Sequence, residues 1–422
     1  MPEISEDLLQ FIWQYRLLKP IPLITASGKE LSVLRQGELN RDSGPDFFNA
    51  QINLGGLVLA GNIELHVRSS DWHRHGHHND DAYSTIILHV VYVNDEAEHN
   101  AFELLELKPY ISEAVLEKYK DFEKPGNKIP CSALLGQVND FAFTSWAERM
   151  AVERLETKME DLDAMFNVCK GDYLQVFYVL MLRNFGFKVN SLPFEMLALQ
   201  LPLNILLRHR ENEKQIQALL LGMAGMLDEH FREHELHKVQ NEFEFLKVKY
   251  GLVPLDKKLF KFARTRPANF PGLRLAQFAA LVCKSTTLLT RPTHCLAYND
   301  LLNALMVSPQ GYWSRHYSAG GEATHKDLTV GLLSAENIII NTIAPFLFYY
   351  GRKHKQEALE QQALHLLETC GFENNIKTKL FSAKKPVLNS ASTSQGLIHL
   401  FNHYCSKKGC LKCGIGASIL KT

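Results

Sequence analysis

The chain has 422 residues, 46 basic and 46 acidic side chains, and a hydrophobic fraction of 46%. That length accommodates two or three domains with sizeable cores, and that composition excludes wholesale disorder. A formal charge of zero gives no whole-molecule attraction to nucleic acid, so any such contact must come from local patches.

The N-terminus, MPEISEDLLQF, carries acids where a signal peptide needs a basic region and an apolar run. It reads instead as an amphipathic helix over 5–19 capped by Ser5. Short runs rich in β-branched and apolar residues follow at 30–34, 50–54, 57–66, 85–93 and 102–107, and Gly55-Gly56 between two of them is hairpin punctuation. A helix is expected over 112–122, and 124–130, with Pro-Gly-Asn inside, is expected to bound the first domain.

From Asp140 onward, charged and apolar residues recur at helical intervals over 141–166, 172–185, 213–227, 230–247 and 357–370. No run of 18 apolar residues occurs. The longest candidate, 338–350, contains Asn341, Thr342 and Pro345 and reads as a broken, buried segment, so the expectation is a cytoplasmic protein without membrane contact. Residues 384–394 form a small polar stretch expected to link to the tail. The expected fold is α+β: a mixed sheet flanked by helices over 1–125, a helical domain over 139–383, and a small Cys-rich module over 395–422.

The chemistry concentrates in 37–93. Gly-Glu-Leu-Asn-Arg-Asp-Ser-Gly-Pro-Asp leads to Asp46, a hairpin follows, and Gly-Asn-Ile-Glu-Leu-His places Glu64 and His66 on the next strand. Strand alternation puts Glu64 and His66 on one face, with Ile63 and Leu65 on the other. Asp46 can approach that face across the hairpin. Two neighbouring carboxylates repel as anions, and a divalent cation shared between them relieves the repulsion. Such an ion lowers the pKa of a bound water and polarises a phosphoryl oxygen.

Pro45-Asp46 followed by Glu64-Leu65-His66 resembles the PD-(D/E)XK nuclease superfamily over roughly residues 5–120. That resemblance implies a helix, a three-strand meander, a helix and a strand, with Asp46 and Glu64 holding Mg²⁺ or Mn²⁺ and His66 assisting water or phosphate. Here His66 stands where the superfamily has Lys. Histidine ordinarily titrates near ~6.5, so it can donate, act as base or ligate the ion itself. A literal E-x-K also occurs at Glu106-Leu107-Lys108, with Asp80 or Asp95 as its upstream acid, but without the Pro-Asp turn.

Six of the 18 histidines fall between 66 and 89. His75 and His77 are candidate substrate or nucleic-acid contacts, and His89 follows on the next strand. His73-x-His75-x-His77-His78 also approximates the H-x-H-x-D-H signature of metallo-β-lactamase-type hydrolases, with His77 in place of the Asp. The string GPDF…GNIELH…SSDW…HGHH…ILHVV, together with 264–271 and the terminal cysteines, resembles a bacterial domain-of-unknown-function family over nearly the full chain.

Two further features point to ligands. Lys247 to Arg274 holds eight basic residues against Asp256 alone, and Arg264, Arg266 and Arg274 are candidate phosphate contacts. Ion pairing with neighbouring helices explains the same residues. At the tail, Cys405-x4-Cys410-x2-Cys413-Gly414 has metal-ligand spacing, with zinc as the expected ion, an Fe–S cluster as the alternative, and His399 as the nearest fourth ligand, His403 or Cys370 being the alternatives. Two functions are therefore carried forward: a metal-dependent phosphodiesterase or nuclease-like enzyme, and a non-catalytic nucleic-acid-binding or scaffold protein on the same fold.

Overall fold

The computed structural model describes residues 4–96, 102–263, 265–294, 297–324, 327–385 and 389–422. It is mixed α+β, with a mixed sheet in the N-terminal part and helices through the remainder. Contacts divide the chain into two units: Met1–Trp146 with Lys379–Val387 and Leu400–Thr422, and Ala147–Thr378 with Leu388–His399. The first boundary lies beyond the 124–130 segment, because Ile129, Leu135, Val138 and Phe143 are buried within the first unit.

In the first unit, helix α1 (Glu6–Gln14) starts where Ser5 Oγ accepts the Leu8 N–H at 3.3 Å, the expected cap. Leu8, Leu9, Ile12 and Trp13 are buried, and full burial of each such side chain contributes about 1.5–3 kcal/mol. The helix is shorter than its apolar spacing implied, since Arg16 turns left-handed at φ 51.

The strands are β1 (Leu23–Ile24), β2 (Glu30–Arg35), β3 (Glu38–Leu39), β4 (Phe47–Leu54), β5 (Leu57–Arg68), β6 (Ile86–Val93) and β7 (Glu103–Glu106). Their order is β1-β2-β4-β5-β6-β7, with β3 pairing β4. β2, β4 and β5 form an antiparallel meander, and β6 and β7 add in parallel. Gly55 and Gly56 both take positive φ in the two-residue turn between β4 and β5, a conformation glycine adopts without cost.

Parallel pairing of β5 with β6 requires a crossover. It consists of a one-turn helix α2 (Asp71–Arg74) and two 3-10 turns, His77–Asn79 and Asp81–Tyr83. Asp95, just after β6, clamps its start: one carboxylate oxygen accepts Ser69 Oγ at 2.9 Å and the Ser70 N–H at 3.0 Å, and the other accepts Ser70 Oγ at 2.9 Å. At the other end, Gly61 is required, because a Cβ there would meet the Thr85 carbonyl at 2.6 Å. Helix α3 (Glu113–Glu123) follows the sheet.

Helix α4 (Asp140–Val168) begins in the first unit and continues into the second. The second unit is built from helices including Tyr173–Phe185, Phe187–Gln200, Glu213–Met223, His234–Tyr250, Pro271–Lys284 and Glu357–Thr369 around one apolar core. Asn341, Thr342 and Pro345 do not break the chain as their polarity implied. The helix runs from Leu332 to His354, and a π turn at Ile339–Ile343 opens the ladder where Pro345 lacks an N–H and would press on the carbonyl four residues back. By length and composition this helix could cross a membrane, and 67% of its most apolar window is buried. A small hairpin, His316–Ser318 with Gly321–Glu322, went unforeseen, and the helix Ala391–His403 starts inside the stretch expected to be a linker.

Candidate metal centre

The Pro45-Asp46 turn is shaped by one side chain. Asn40 Nδ2 donates to the carbonyls of Asp42, Ser43 and Pro45 at 3.1–3.2 Å, and the Asn40 N–H donates to the Asp46 carbonyl at 2.7 Å. This wraps 40–46 into a compact loop that delivers Asp46 to the start of β4.

Glu64 and His66 lie side by side on β5, as alternation requires, and both are buried. The Asp46 N–H donates to Glu64 Oε2 at 3.0 Å, and Asp46 Oδ2 in turn accepts the Leu65 N–H at 2.9 Å. Gln10 of α1 donates to Asp46 Oδ1 at 2.8 Å. The two acids expected to converge are thus in one constellation. Burial raises both carboxyls above their ordinary range, and for Glu64 the neighbouring Asp46 charge adds to it.

What the crossover adds is a set of imidazoles. His77 Nε2 and His66 Nε2 each lie 3.5 Å from the same atom, Glu64 Oε1. The ligand atoms of His66, His75 and His77 all fall within 4.8 Å of one another. His66 stacks on His77 at 5.2 Å between ring centroids, while His75 meets His66 edge-on at 5.0 Å. Burial and the adjoining imidazoles push His66 far below its usual value, and burial with His75 lowers His77. Neutral imidazole, the ligating form, is the form this environment favours.

Behind the trio, His66 Nδ1 lies 2.9 Å from His89 Nε2 on β6, whose register sets His89 beside Glu64. Trp72, buried in α2, packs against His66, His77 and His89. Tyr83 covers His77 at 3.9 Å, and its phenol is pushed up to about 12 by desolvation and by the Glu64 and Asp46 charges.

Asp46, Glu64, His66, His75 and His77 are brought together. His77 faces Glu64 on the sheet and His75 lies against His66 and His77, a placement not read from their spacing. His73 and His78 pair with each other outside the trio, at 5.1 Å. The competing E-x-K is not assembled: Glu106 ends β7, Lys108 Nζ sits over the Tyr92 ring at 5.8 Å, and Asp95 is engaged with Ser69 and Ser70. Sequence reading missed Glu6 and Gln10 of α1. Glu6 bears electrostatically on Asp46 and Glu64, and its own carboxyl is raised by burial. Their only sequence signal is an acid and an amide at i and i+4 on an apolar helix.

The basic candidates fare differently. Arg266 is exposed, and Arg264 lies outside the described residues. Arg274 corrects the expectation of a phosphate contact. It is 4% exposed, donates to Gln277 Oε1 at 2.9 Å and Asn269 Oδ1 at 2.5 Å, and stacks over Phe187 at 4.3 Å, so its guanidinium serves the helical core. Cys405, Cys410 and Cys413 are buried in the first unit. His399, proposed beside them as a ligand, belongs to the second unit, where its Nε2 lies 3.1 Å from Glu153 Oε1.

Comparison with curated proteins and with solved structures finds no match in either. A family model does match, across residues 6–376, and those residues include the whole sheet, the crossover histidines and nearly all of the helical unit. The chain belongs to that family, a protein family of unknown function designated DUF2851.

Proposed function

We propose that the β4–β5 acids and the crossover histidines form the centre of a metal-dependent phosphodiester hydrolase of nuclease-like type. The observation that carries this reading is the convergence of two imidazole nitrogens on a single buried carboxylate oxygen, Glu64 Oε1. A third imidazole, His75, has its ligand atom within 4.8 Å of those of His66 and His77. Support for the nuclease-like class comes from element order: helix, antiparallel three-strand meander, helical crossover and parallel strand, with Asp46 immediately before the second strand of the meander and Glu64 on the third.

The donor set tests which ion fits. Three imidazoles with a carboxylate suit Mn²⁺, Zn²⁺ or Fe²⁺ better than Mg²⁺, which prefers an all-oxygen octahedron. Glu64, His66 and His77 would hold the ion, with His75 and Asp46 beside them. When bound, the ion supplies an acidified water and polarises a phosphoryl oxygen.

The protein's own groups do the rest. With an ion on His66 Nε2, which lies toward Glu64, Nδ1 would carry the ring proton and donate to His89 Nε2, fixing tautomer and ring orientation. Asp46 is held by Leu65 and Gln10 and in turn fixes Glu64 through its own N–H. Tyr83 stays protonated at neutral pH and can donate to a phosphoryl oxygen. His66 thereby becomes a ligand in this reading, not a substitute for the superfamily's lysine.

The test is hydrolysis of bis(p-nitrophenyl) phosphate, single-stranded DNA, duplex DNA and RNA with Mn²⁺, Zn²⁺ or Mg²⁺. Cleavage supported by Mn²⁺ or Zn²⁺ and lost in Glu64→Gln and His77→Ala is the expected result. Cleavage unchanged in both variants would sink the assigned site. Salt-sensitive binding without cleavage by any ion would favour the non-catalytic nucleic-acid-binding alternative.

A further inference from the structure

Within the second unit, a cavity of about 400 Å³ is walled by α4 and by the helices Tyr173–Phe185, Phe187–Gln200 and Leu332–His354. That is the size of a small-molecule pocket. Four cations line it, Arg154, Lys158, Arg183 and Lys188, against one acid, Asp161.

Local structure brings these groups together. Arg154, Lys158 and Asp161 stand at i, i+4 and i+7 on α4, which is one stripe of a helix. Arg183 lies in the last turn of Tyr173–Phe185, and Lys188 lies in the first turn of the next helix. The chain passes from one to the other through Phe187, which takes φ 47, an outlier for a bulky aromatic residue. From the fourth wall, the π turn at Ile339–Ile343 contributes Asn341 and Thr342. Asn184 joins two walls, its Nδ2 donating to the Asn337 carbonyl at 3.2 Å and to Thr342 Oγ1 at 3.1 Å. Two departures from regular backbone thus border one pocket, and such departures concentrate at ligand sites.

Cations on a helical surface are ordinarily solvated or paired. α4 shows the paired case on neighbouring turns, with Glu156 3.5 Å from Arg352 and Asp163 2.7 Å from Lys353. The pocket cations are matched less completely. Arg183 pairs with Glu195 at 3.3 Å, and Arg154 Nε donates to the neutral Gln395 Oε1 at 2.5 Å. Lys158 is partly buried and has no hydrogen bond or ion pair among the described residues. Glu373, whose charge bears on Lys158, accepts from Gln395 Nε2 instead. Burial, then the Arg154 charge, push the Lys158 ammonium down to about 7. Cations around a concave wall focus a positive potential, and an anion seated there would answer it.

We propose that this cavity binds a small molecule carrying one or two phosphoryl groups, with Lys158 as its central contact and Arg154, Arg183 and Lys188 around it. The guanidinium forks suit phosphoryl oxygens in pairs, and the two ammonium groups add point charges. The pocket shares no residue with the histidine centre and needs no metal, so it stands apart from the hydrolase reading.

The experiment is isothermal titration calorimetry of the full chain with pyrophosphate and, separately, with AMP, both in EDTA. One saturable site is expected for at least one of these anions, weakening as salt rises, with adenosine inert because it lacks the phosphoryl group. Lys158→Met should weaken that binding by at least ~10-fold. It removes a poorly partnered charge from a partly buried place, so its Tm should equal or exceed the wild type's, which separates lost binding from lost fold. Lys188 is exposed, so Lys188→Gln leaves packing intact and should weaken binding by a smaller factor. Lys249→Gln, on the helix His234–Tyr250, should bind as the wild type does. No saturable site for either anion overturns the proposal, and so does adenosine binding as tightly as AMP. Affinity unchanged in Lys188→Gln and Lys158→Met overturns it too; if Lys158→Met fails to fold, Lys188→Gln decides alone. Binding lost in Glu64→Gln but kept in Lys158→Met would place the anion at the histidine centre instead.

Discussion

Two buried polar clusters in this protein differ in how their groups are satisfied. On the helix Pro271–Lys284, Arg274 is buried with each terminal guanidinium nitrogen on a neutral amide and its face on Phe187. On β5, Glu64 is buried with one oxygen on an N–H and the other at 3.5 Å from two imidazoles, a separation beyond a good hydrogen bond. In the first cluster both terminal nitrogens are paired and Nε is not, and its partners all belong to the helical core, so it reads as architecture. The second sets a carboxylate oxygen against two imidazoles, with His75 beside them, and under the proposed function an ion would complete it.

The sharpest way to break this contrast is to exchange the groups. Glu64→Gln should abolish saturable metal binding at the histidine centre. The loss should exceed the ~10–100-fold that outlying partners of a metal site cost, while the fold persists by circular dichroism. Retained affinity would mean Glu64 is not a ligand. Arg274→Ala should do the reverse. It leaves amide partners unpaired and a cation–π contact missing, so urea unfolding should show a loss of about 2–3 kcal/mol, with metal affinity and nucleic-acid binding unchanged. Selective loss of nucleic-acid binding without destabilisation would restore Arg274 as a phosphate contact.

His89→Ala sharpens the same comparison one step out. By freeing His66 Nδ1 it should weaken metal binding by about 10–100-fold without abolishing it, measured by competition against a chromophoric chelator. A pH prediction concerns the clamp that holds the crossover. Hydrogen bonds from Ser70 and Ser69 keep the Asp95 carboxyl below its ordinary value. Its folded pKa being depressed, its contribution to stability is present above about 4 and is lost as pH falls through the lower folded value. Asp95→Asn should therefore lower thermal stability at pH 7 by a small amount, and the difference from wild type should shrink as pH falls below the ordinary carboxylate range. A difference independent of pH would show that charge on Asp95 does not matter.

The contrast also marks what the chain discloses about itself. Strand period two is enough to put Glu64 and His66 on one face, and Gly55-Gly56 is enough to fold β4 onto β5. Asp46 follows from both. The position of His77 is not local information: it depends on a crossover of one helical turn and two 3-10 turns pinned by Asp95 at one end and Gly61 at the other. Arg274 looked like the end of a basic run because composition does not distinguish a cation facing solvent from one facing Phe187. Pro345 looked like a terminator because the π turn that accommodates it has no sequence period.

Direct measurement of Mn²⁺ binding tests the central claim best, because Mn²⁺ favours oxygen and nitrogen donors and is a poor match for the cysteine cluster. Equilibrium dialysis of the wild-type chain, Glu64→Gln and His77→Ala against Mn²⁺ should give one saturable site in the wild type and none in either variant. A wild-type chain with no saturable Mn²⁺ site, or variants that bind as the wild type does, would contradict the account.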